Sequence, residues 1–379
     1  MASYTRNILI TGANGFIGKN LTVRLNELPG NCVRKFVRGD GSARLRELVA
    51  WADVVVHLAG VNRPSDDSEF SRVNEGLTAD LCEAIKTKYL ATGGHVLLLV
   101  SSSVQVESNN PYGRSKLGAE KLVKALSQHT GNPCLIFRLP GVFGKWCKPY
   151  YNSVVATFCY NLARDLPIQI SDHDARVSLV YIDDVINAFL RALQFTAGGF
   201  SEATITPEYE ITLNDLADQI RAFPKGRKSL FTERVGAGFC RALYATYVSY
   251  LPSDEISYEV PQHVDSRGMF VEMLKTHDSG QFSYFTAHPG ITRGGHYHHT
   301  KTEKFLVIKG QARFRFRHLL TNQLIELHTS GDIPQVVDTV PGWTHDITNV
   351  GNDEMVVMLW ANENFNPEKP DTVSNKILL

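Results

Sequence analysis

The stretch Ile8-Leu9-Ile10-Thr11-Gly12-Ala13-Asn14-Gly15-Phe16-Ile17-Gly18 constrains the fold of this chain more than any other. Ile8 to Ile10 form a short apolar run that ends in a turn, the pattern of a strand buried on both faces. Gly12 permits the tight turn, Gly15 lets the backbone approach a pyrophosphate, and Gly18 lets the next helix pack on the strand. Phe16 and Ile17 open that helix, whose first N–H groups and positive dipole end face the phosphate position. The same glycines also suit a turn shaped by packing alone, so their meaning depends on the pattern of the residues beyond Gly18.

Beyond Gly18 the chain alternates repeatedly. Apolar runs at Cys32 to Val37, Val54 to Leu58, Val96 to Val100 and Leu135 to Phe137 read as strands, with helical patterns between them, such as Phe70 to Lys88. Strands alternating with helices predict an α/β doubly wound parallel sheet, with ligands at the carboxyl ends of its strands. The chain has 379 residues, so two domains are expected, residues 1–250 and 251–379. Lys plus Arg and Asp plus Glu are both 39, which leaves no net field to draw the chain to nucleic acid or a membrane surface. No apolar run approaches a bilayer span and no signal-peptide core opens the chain, so a cytoplasmic protein without membrane insertion is expected. Six cysteines, at 32, 82, 134, 147, 159 and 240, lack paired spacing and read as reduced thiols.

The second strand ends Arg34-Lys35-Phe36-Val37-Arg38, where an NAD site usually carries a carboxylate for the ribose 2′-hydroxyl. Cations there suit a 2′-phosphate and predict NADPH; Asp40 offers the alternative of a ribose carboxylate.

The fourth strand runs into Ser101-Ser102-Ser103, and Tyr112-Gly113-Arg114-Ser115-Lys116 comes soon after. Pro111 fits a first helical position, which puts Tyr112 and Lys116 one turn apart on one helix face. An ammonium beside a phenol favours phenolate, so the pair predicts a Tyr112 pKa lowered from about 10 toward neutrality. Such a phenol exchanges a proton with a sugar oxygen as hydride moves.

Together these pieces resemble the extended short-chain dehydrogenase/reductase family: Gly12 to Gly18, His57-Leu58-Ala59-Gly60, Ser101 to Ser103, Tyr112-x-x-x-Lys116, Arg138 to Gly144, and Tyr181-Ile182-Asp183-Asp184-Val185. The resemblance covers about residues 6 to 250. It implies Ser103, Tyr112 and Lys116 as the catalytic group. It also implies a dinucleotide against Gly12, Gly15, Phe16, Ile17, Gly18, Arg38, Leu58, Ala59, Gly60, Tyr112 and Lys116. Members that dehydrate sugars carry Asp-Glu after the catalytic hydroxyl; here Val104-Gln105 stand there, which points to reduction or epimerisation. The segment Lys145 to Asn152 mixes cations, aromatics and an amide suited to a uridine diphosphate, or to a loop packed on its own rings.

Near Leu251-Pro252-Ser253 the helical periodicity stops. Short alternating runs take over, at Phe305 to Ile308, Ala312 to Arg317 and Met355 to Trp360. They predict an all-β barrel or jelly roll, with Arg313, Arg315 and Arg317 on one face of their strand and Phe314 and Phe316 on the other. Within it, alternation sets His296 and His298 on one strand face, with Glu303 and a later His345 within reach. Three imidazoles and a carboxylate make a divalent-metal set, Zn2+ first. The spacings resemble the two cupin motifs, with Pro341 beside Gly342 rather than two residues before it.

The segment Asp265-Ser266-Arg267-Gly268-Met269-Phe270-Val271-Glu272, with Thr292-Arg293-Gly294-Gly295-His296, further resembles the keto-sugar 3,5-epimerase branch of cupins. That branch implies His296 as catalytic base and Arg293 in the substrate site. A metal-bound imidazole cannot also take a proton, so His296 as ligand and His296 as base remain alternatives. The whole chain resembles bifunctional capsular-polysaccharide enzymes. The resemblance implies a homodimer whose cupin epimerises C3 of a UDP-2-acetamido-2,6-dideoxy-4-hexulose and whose reductase domain reduces C4 with NADPH, giving the 6-deoxy-talose on the way to UDP-N-acetyl-L-fucosamine. Two alternatives stand beside it: a single-activity 4-epimerase or reductase with a dimerising cupin, and an NADP-sensing or sugar-binding regulator.

Overall fold

A computed structural model of the chain describes residues 6–64, 66–260, 262–265, 268–271, 274–276, 280–363 and 368–377. It divides into two compact units: Met1–Phe143 with Tyr151–Ser153 and Ser178–Glu210, and Gly144–Tyr150 with Val154–Val177 and Ile211–Leu379.

In the first unit, strands β1 (Arg6–Thr11), β2 (Asn31–Phe36), β3 (Val54–His57), β4 (Leu97–Ser103) and β5 (Cys134–Leu139) alternate with helices α1 (Phe16–Asn26), α2 (Ser42–Trp51), α3 (Leu77–Thr92) and α4 (Pro111–Thr130). The strands pair in the order β2-β1-β3-β4-β5, followed by Phe200–Ala203, all parallel. Every residue of β3 and β4 is buried, which is why both read as unbroken apolar runs. Leu9, Val55, Leu98 and Ile136 pack in one core with Leu45 and Leu48 of α2 and Leu81 and Ile85 of α3. Truncating one of these fully buried leucines to alanine costs about 2–5 kcal/mol. The winding direction reverses between β1 and β3, so the crevice at their carboxyl ends is the ligand position of this topology.

Two elements differ from expectation. The fourth strand runs three residues further, so Ser101, Ser102 and Ser103 lie on it and are buried. The single helix expected over Phe70 to Lys88 is a π-helical segment, Phe70–Gly76, followed by α3. The wider turn sits where Asn74 is tied to the loop after β3: Asn74 Oδ1 accepts from Val61 N at 2.8 Å and Nδ2 donates to Val61 O at 3.0 Å.

The second unit carries two five-stranded antiparallel sheets, as the alternating pattern predicts for a cupin-like jelly roll. One orders Ser257–Glu259, Gln335–Asp338, Glu303–Lys309, Met355–Ala361 and Gln281–Ala287; the other orders Leu324–Ser330, Gln311–His318, Trp343–Asn349, Thr292–Tyr297 and Val373–Ser374. Phe314 and Phe316 are buried, and the intervening arginines are only partly covered. Residues 211–250, expected at the end of the first domain, cluster instead with this second unit. Within it Arg227, on helix Leu213–Ser229, pairs with Asp338 at 2.5 Å, and Asp338 also pairs with buried Lys304 at 2.5 Å. Ser266, Arg267 and Glu272 of the segment 265–272 lie outside the described residues.

Candidate functional site

The glycine turn is built by close approach. Gly12 has φ +70°, and a Cβ there would meet Ala59 N at 2.6 Å; one on Gly18 would meet Gly12 O at 2.4 Å. No side chain at these two positions fits the turn. Helix α1 starts after Gly15 with no side-chain cap and no acid in its first turn, so its N–H groups are open to an anion. The ends of β1 and β3 are tied together: Leu58 N donates to Thr11 O at 3.1 Å and Ala59 N to Thr11 Oγ1 at 3.3 Å. His57, inside the expected motif, is a structural tie between Thr11 Oγ1 (2.7 Å) and Thr78 Oγ1 (3.0 Å). Burial, then repulsion from Lys116, pushes its pKa down to about 3, so it is neutral.

Helix α4 is fixed at its start by Asn110, whose side chain accepts from Gly113 N at 2.7 Å, and by Pro111 in the first turn. This sets Tyr112 and Lys116 against the end of β4. Lys116 Nζ donates to Ser101 O at 2.9 Å, and the Ser103 side chain lies beside the Tyr112 phenol while accepting from Gln105 N at 3.2 Å. The three expected catalytic residues therefore meet at the carboxyl end of one strand, and a Cβ built on Gly60 would lie 3.6 Å from Lys116 Nζ.

The expected lowering of Tyr112 is corrected by the structure. Burial raises its pKa above the usual phenol value, and the polar Ser103 side chain beside it opposes this only in part. The physical reason is that the Lys116 ammonium is directed at a backbone carbonyl. Burial also weakens that ammonium, with pKa down to about 8 against the opposing charge of Glu120. Glu120, one turn beyond Lys116, carries no motif signal in the sequence. It is buried, accepts from Ser102 Oγ at 2.5 Å, and takes a two-pronged contact from Arg138 at 3.1 and 2.8 Å. Asn74 carries none either; it donates to Ser115 Oγ at 2.9 Å and so joins α4 to the loop after β3. Only pairing across the fold finds these two residues.

At the end of β2 the cations separate. Arg34, Lys35 and Arg38 are all exposed, and Arg34 lies over the Trp51 ring at 4.4 Å. Asp40 uses its carboxylate on Val37 N at 2.8 Å, which closes the turn.

In the second unit, His296, His298, Glu303 and His345 converge, with one ligand atom of each within 4.8 Å of the others. His296 pairs opposite His345 just after a bulge between Gly294 and His296. His298 Nε2 lies 3.1 Å and His345 Nε2 3.5 Å from Glu303 Oε2. Both ring nitrogens of buried His345 lack a hydrogen-bond partner. Burial and the neighbouring imidazoles push His296 down to about 3. The orphaned nitrogens of His345, imidazoles that burial holds toward the neutral form at His296 and His345, and a carboxylate fit a divalent cation. Arg293 is exposed on the same strand, its guanidinium 4.9 Å over the Phe285 ring and donating to Thr286 O at 3.0 Å.

The segment expected to carry uridine diphosphate groups is split by the structure, Lys145 to Tyr150 clustering with the second unit. Lys145 is buried, and the Trp146 ring packs on Gly342 and lies 6.1 Å from the His318 ring. Trp146 thus has a packing role. Tyr150 and Tyr151 are exposed.

Residues 8–205 match the NAD dependent epimerase/dehydratase family, and residues 263–373 match the polysaccharide biosynthesis C-terminal domain. Over 365 residues the chain is 54% identical to the UDP-2-acetamido-2,6-beta-L-arabino-hexul-4-ose reductase of Pseudomonas aeruginosa, covering 96% of this chain and 97% of that protein. The crystal structure of the capsular polysaccharide assembling protein CapF from Staphylococcus aureus matches at TM-score 0.66 and 40% identity, covering 98% of this chain and 100% of that one. The UDP-glucuronic acid 4-epimerase of Bacillus cereus covers 58% of this chain and 84% of its own at 22% identity and TM-score 0.51, a likeness of fold alone.

Proposed function

The chain belongs to the NAD dependent epimerase/dehydratase family, and we propose that it is a bifunctional nucleotide-sugar enzyme of capsule or O-antigen synthesis. Residues 1–250 reduce, and the cupin of residues 251–379 epimerises. The substrate is a UDP-2-acetamido-2,6-dideoxy-4-hexulose. The cupin inverts C3, and C4 is then reduced to the UDP-2-acetamido-2,6-dideoxy-talose that precedes UDP-N-acetyl-L-fucosamine. The protein acts as a cytoplasmic homodimer. The observation that carries the reductive half is the meeting of Ser103, Tyr112 and Lys116 at the end of β4, where Lys116 Nζ donates to Ser101 O and the Ser103 side chain lies beside the Tyr112 phenol.

The family implies a nicotinamide cofactor, which supplies the hydride when bound. The open N–H groups of α1 suit its pyrophosphate, and the exposed Arg38 suits the 2′-phosphate of NADPH. Ser103 holds the C4 oxygen. Tyr112, kept protonated by burial, gives its phenolic proton to that oxygen as it gains charge. The Lys116 cation stabilises the tyrosinate left behind.

In the cupin, His296, His298, Glu303 and His345 would hold zinc. Four protein ligands fill a tetrahedral shell, so the ion supplies a structural tie. Arg293 is the substrate-facing cation for an enolate formed when C3 loses its proton. A specific observation favours the single-activity reading as rival. A His296 with pKa about 3 is a poor proton acceptor at neutral pH, as a cupin serving only to stabilise or dimerise the chain would allow.

Incubation with the UDP-4-keto sugar and NADPH, followed by product NMR, tests the proposal. The expected product carries a C4 hydroxyl and an inverted C3. If no NADPH is consumed with any UDP-4-keto sugar, the reductase assignment fails.

A further inference from the structure

Asp371 belongs to none of the motifs, yet it holds the His298 turn. Its carboxylate accepts from the backbone N–H groups of His299 (2.9 Å), Thr300 (2.7 Å) and Lys301 (2.7 Å), and from the Thr300 hydroxyl (3.0 Å). Three consecutive amides directed at one carboxylate leave the turn a single conformation. The Asp371 carbonyl oxygen accepts from His298 Nδ1 at 2.5 Å. A carbonyl oxygen only accepts, so that nitrogen carries the proton. In the neutral ring the Nε2 lone pair then points at Glu303.

The residues just beyond Asp371 reach the other imidazoles. Val373 and Ser374 pair with Tyr297 and His296 as an added strand. Asn375 N donates to Gly295 O at 2.8 Å, and its side chain donates to Thr344 Oγ1 at 2.9 Å, beside His345. One short segment therefore touches three of the four converging residues or their immediate neighbours.

We propose that residues 371–375 form a strap that sets the geometry of the His/Glu centre, with Asp371 as the positioning residue that fixes His298 in its Nδ1–H tautomer. It rests on the proposed zinc centre only for its effect on metal affinity. An imidazole released from this contact divides its proton between both nitrogens, and the Nε2–H fraction cannot bind a cation. Partners of this kind are typically worth 10- to 100-fold in metal affinity.

The test uses full-length wild type, Asp371→Asn, Asp371→Ala and Asn375→Ala. Two quantities are read: zinc affinity by chelator competition, and the His298 tautomer by 15N NMR of the metal-free protein. The strap predicts about 10- to 100-fold weaker zinc in Asp371→Ala, with Asp371→Asn between it and wild type. It also predicts, for the neutral ring, Nδ1–H in wild type and a mixed tautomer in both Asp371 variants. Asn375→Ala, away from the His298 ring, should keep the tautomer and weaken zinc by less. Wild-type affinity and an unchanged tautomer in both Asp371 variants overturn the strap while the zinc reading stands. If wild type binds no zinc, the zinc reading fails, and the tautomer comparison alone decides the strap: a change in the Asp371 variants supports it, and no change overturns it.

Discussion

His298 Nε2 lies 3.1 Å from Glu303 Oε2, while the other ring nitrogen of His298 is directed at the Asp371 carbonyl oxygen. In a His298 ring whose only proton is on Nδ1, the Nε2 lone pair and the Glu303 carboxylate are both acceptors, and a cation between them satisfies both. Burial works against the charge of Glu303, but His298 and His345 hold its carboxyl well below the usual range. Neither ring nitrogen of His345 makes a well-formed hydrogen bond, and its Nε2 stands 3.5 Å from Glu303 Oε2, so a cation at this point satisfies His345 as well. Protein purified without added metal is expected to carry about one zinc per chain, and Glu303→Gln to bind it more than about tenfold more weakly. Elemental analysis decides this. A folded, metal-free wild type would remove zinc from the description.

Tyr112→Phe removes one oxygen and leaves α4 in place. The prediction is a loss of about 10²- to 10⁴-fold in NADPH oxidation, with cofactor affinity within a few-fold of wild type. Stopped-flow reduction and cofactor titration read the two quantities separately. Turnover near the wild-type rate would exclude Tyr112 as the proton donor.

The pH dependence comes from the Lys116 pKa of about 8. Below that pH the ammonium is present; above it the group is neutral and stabilisation of a tyrosinate is lost. Tyr112, raised by burial, keeps its proton throughout this range. The kcat/KM for reduction should therefore fall as pH rises through about 8, and Lys116→Arg should move the descending limb upward. Glu120→Gln removes the charge that favours the ammonium, so its limb should move downward. A profile flat from about pH 7 to about 9.5 speaks against control by Lys116.

Cofactor choice should depend on Arg38 more than on Arg34, because Arg34 is stacked on Trp51 within β2, whereas Arg38 stands in the turn just beyond its carboxyl end. Losing one charge-assisted contact to the 2′-phosphate costs about 1.5–3 kcal/mol, roughly ten- to a hundredfold in affinity. Arg38→Ala should weaken NADPH by that factor and leave NADH unchanged. Equal affinity of wild type for both cofactors would show the basic turn to have no such role.

The two architectures are legible in the sequence because each has its own period. Buried parallel strands give the unbroken runs of β3 and β4, and half-buried strands give the alternation of Arg313 to Arg317. The His/Glu cluster is legible because its four residues sit at motif spacing. The electrostatics of the Tyr112 site are not. Helical spacing places Lys116 near Tyr112, but the Ser101 carbonyl that receives its ammonium, and the burial that raises the phenol, come from tertiary packing. Glu120, Asn74 and Asp371 are hidden for the same reason. Each acts on residues far away in the chain, as Asp371 does on the turn after His298, 72 residues earlier for His299.

The last prediction is that the two chemistries separate. Loss of the C3 proton needs a base and the C4 ketone, whereas reduction needs hydride and the Tyr112 proton. Ser103, Tyr112 and Lys116 lie in the first compact unit, and Arg293 and the His/Glu centre lie in the second. In deuterium oxide, with the UDP-4-keto sugar and no cofactor, C3 should take up deuterium. Tyr112→Phe should leave that uptake intact and stop reduction alone, while Arg293→Ala should slow uptake by removing the cation proposed for the C3 enolate. His296→Ala should slow it too, by loss of a ligand or of a base, and so does not choose between those roles. Mass spectrometry and proton NMR of the recovered sugar read the label by position. If uptake at C3 requires NADPH or Tyr112, epimerisation belongs to the reductase site, and the cupin with its neutral His296 only stabilises or dimerises the chain.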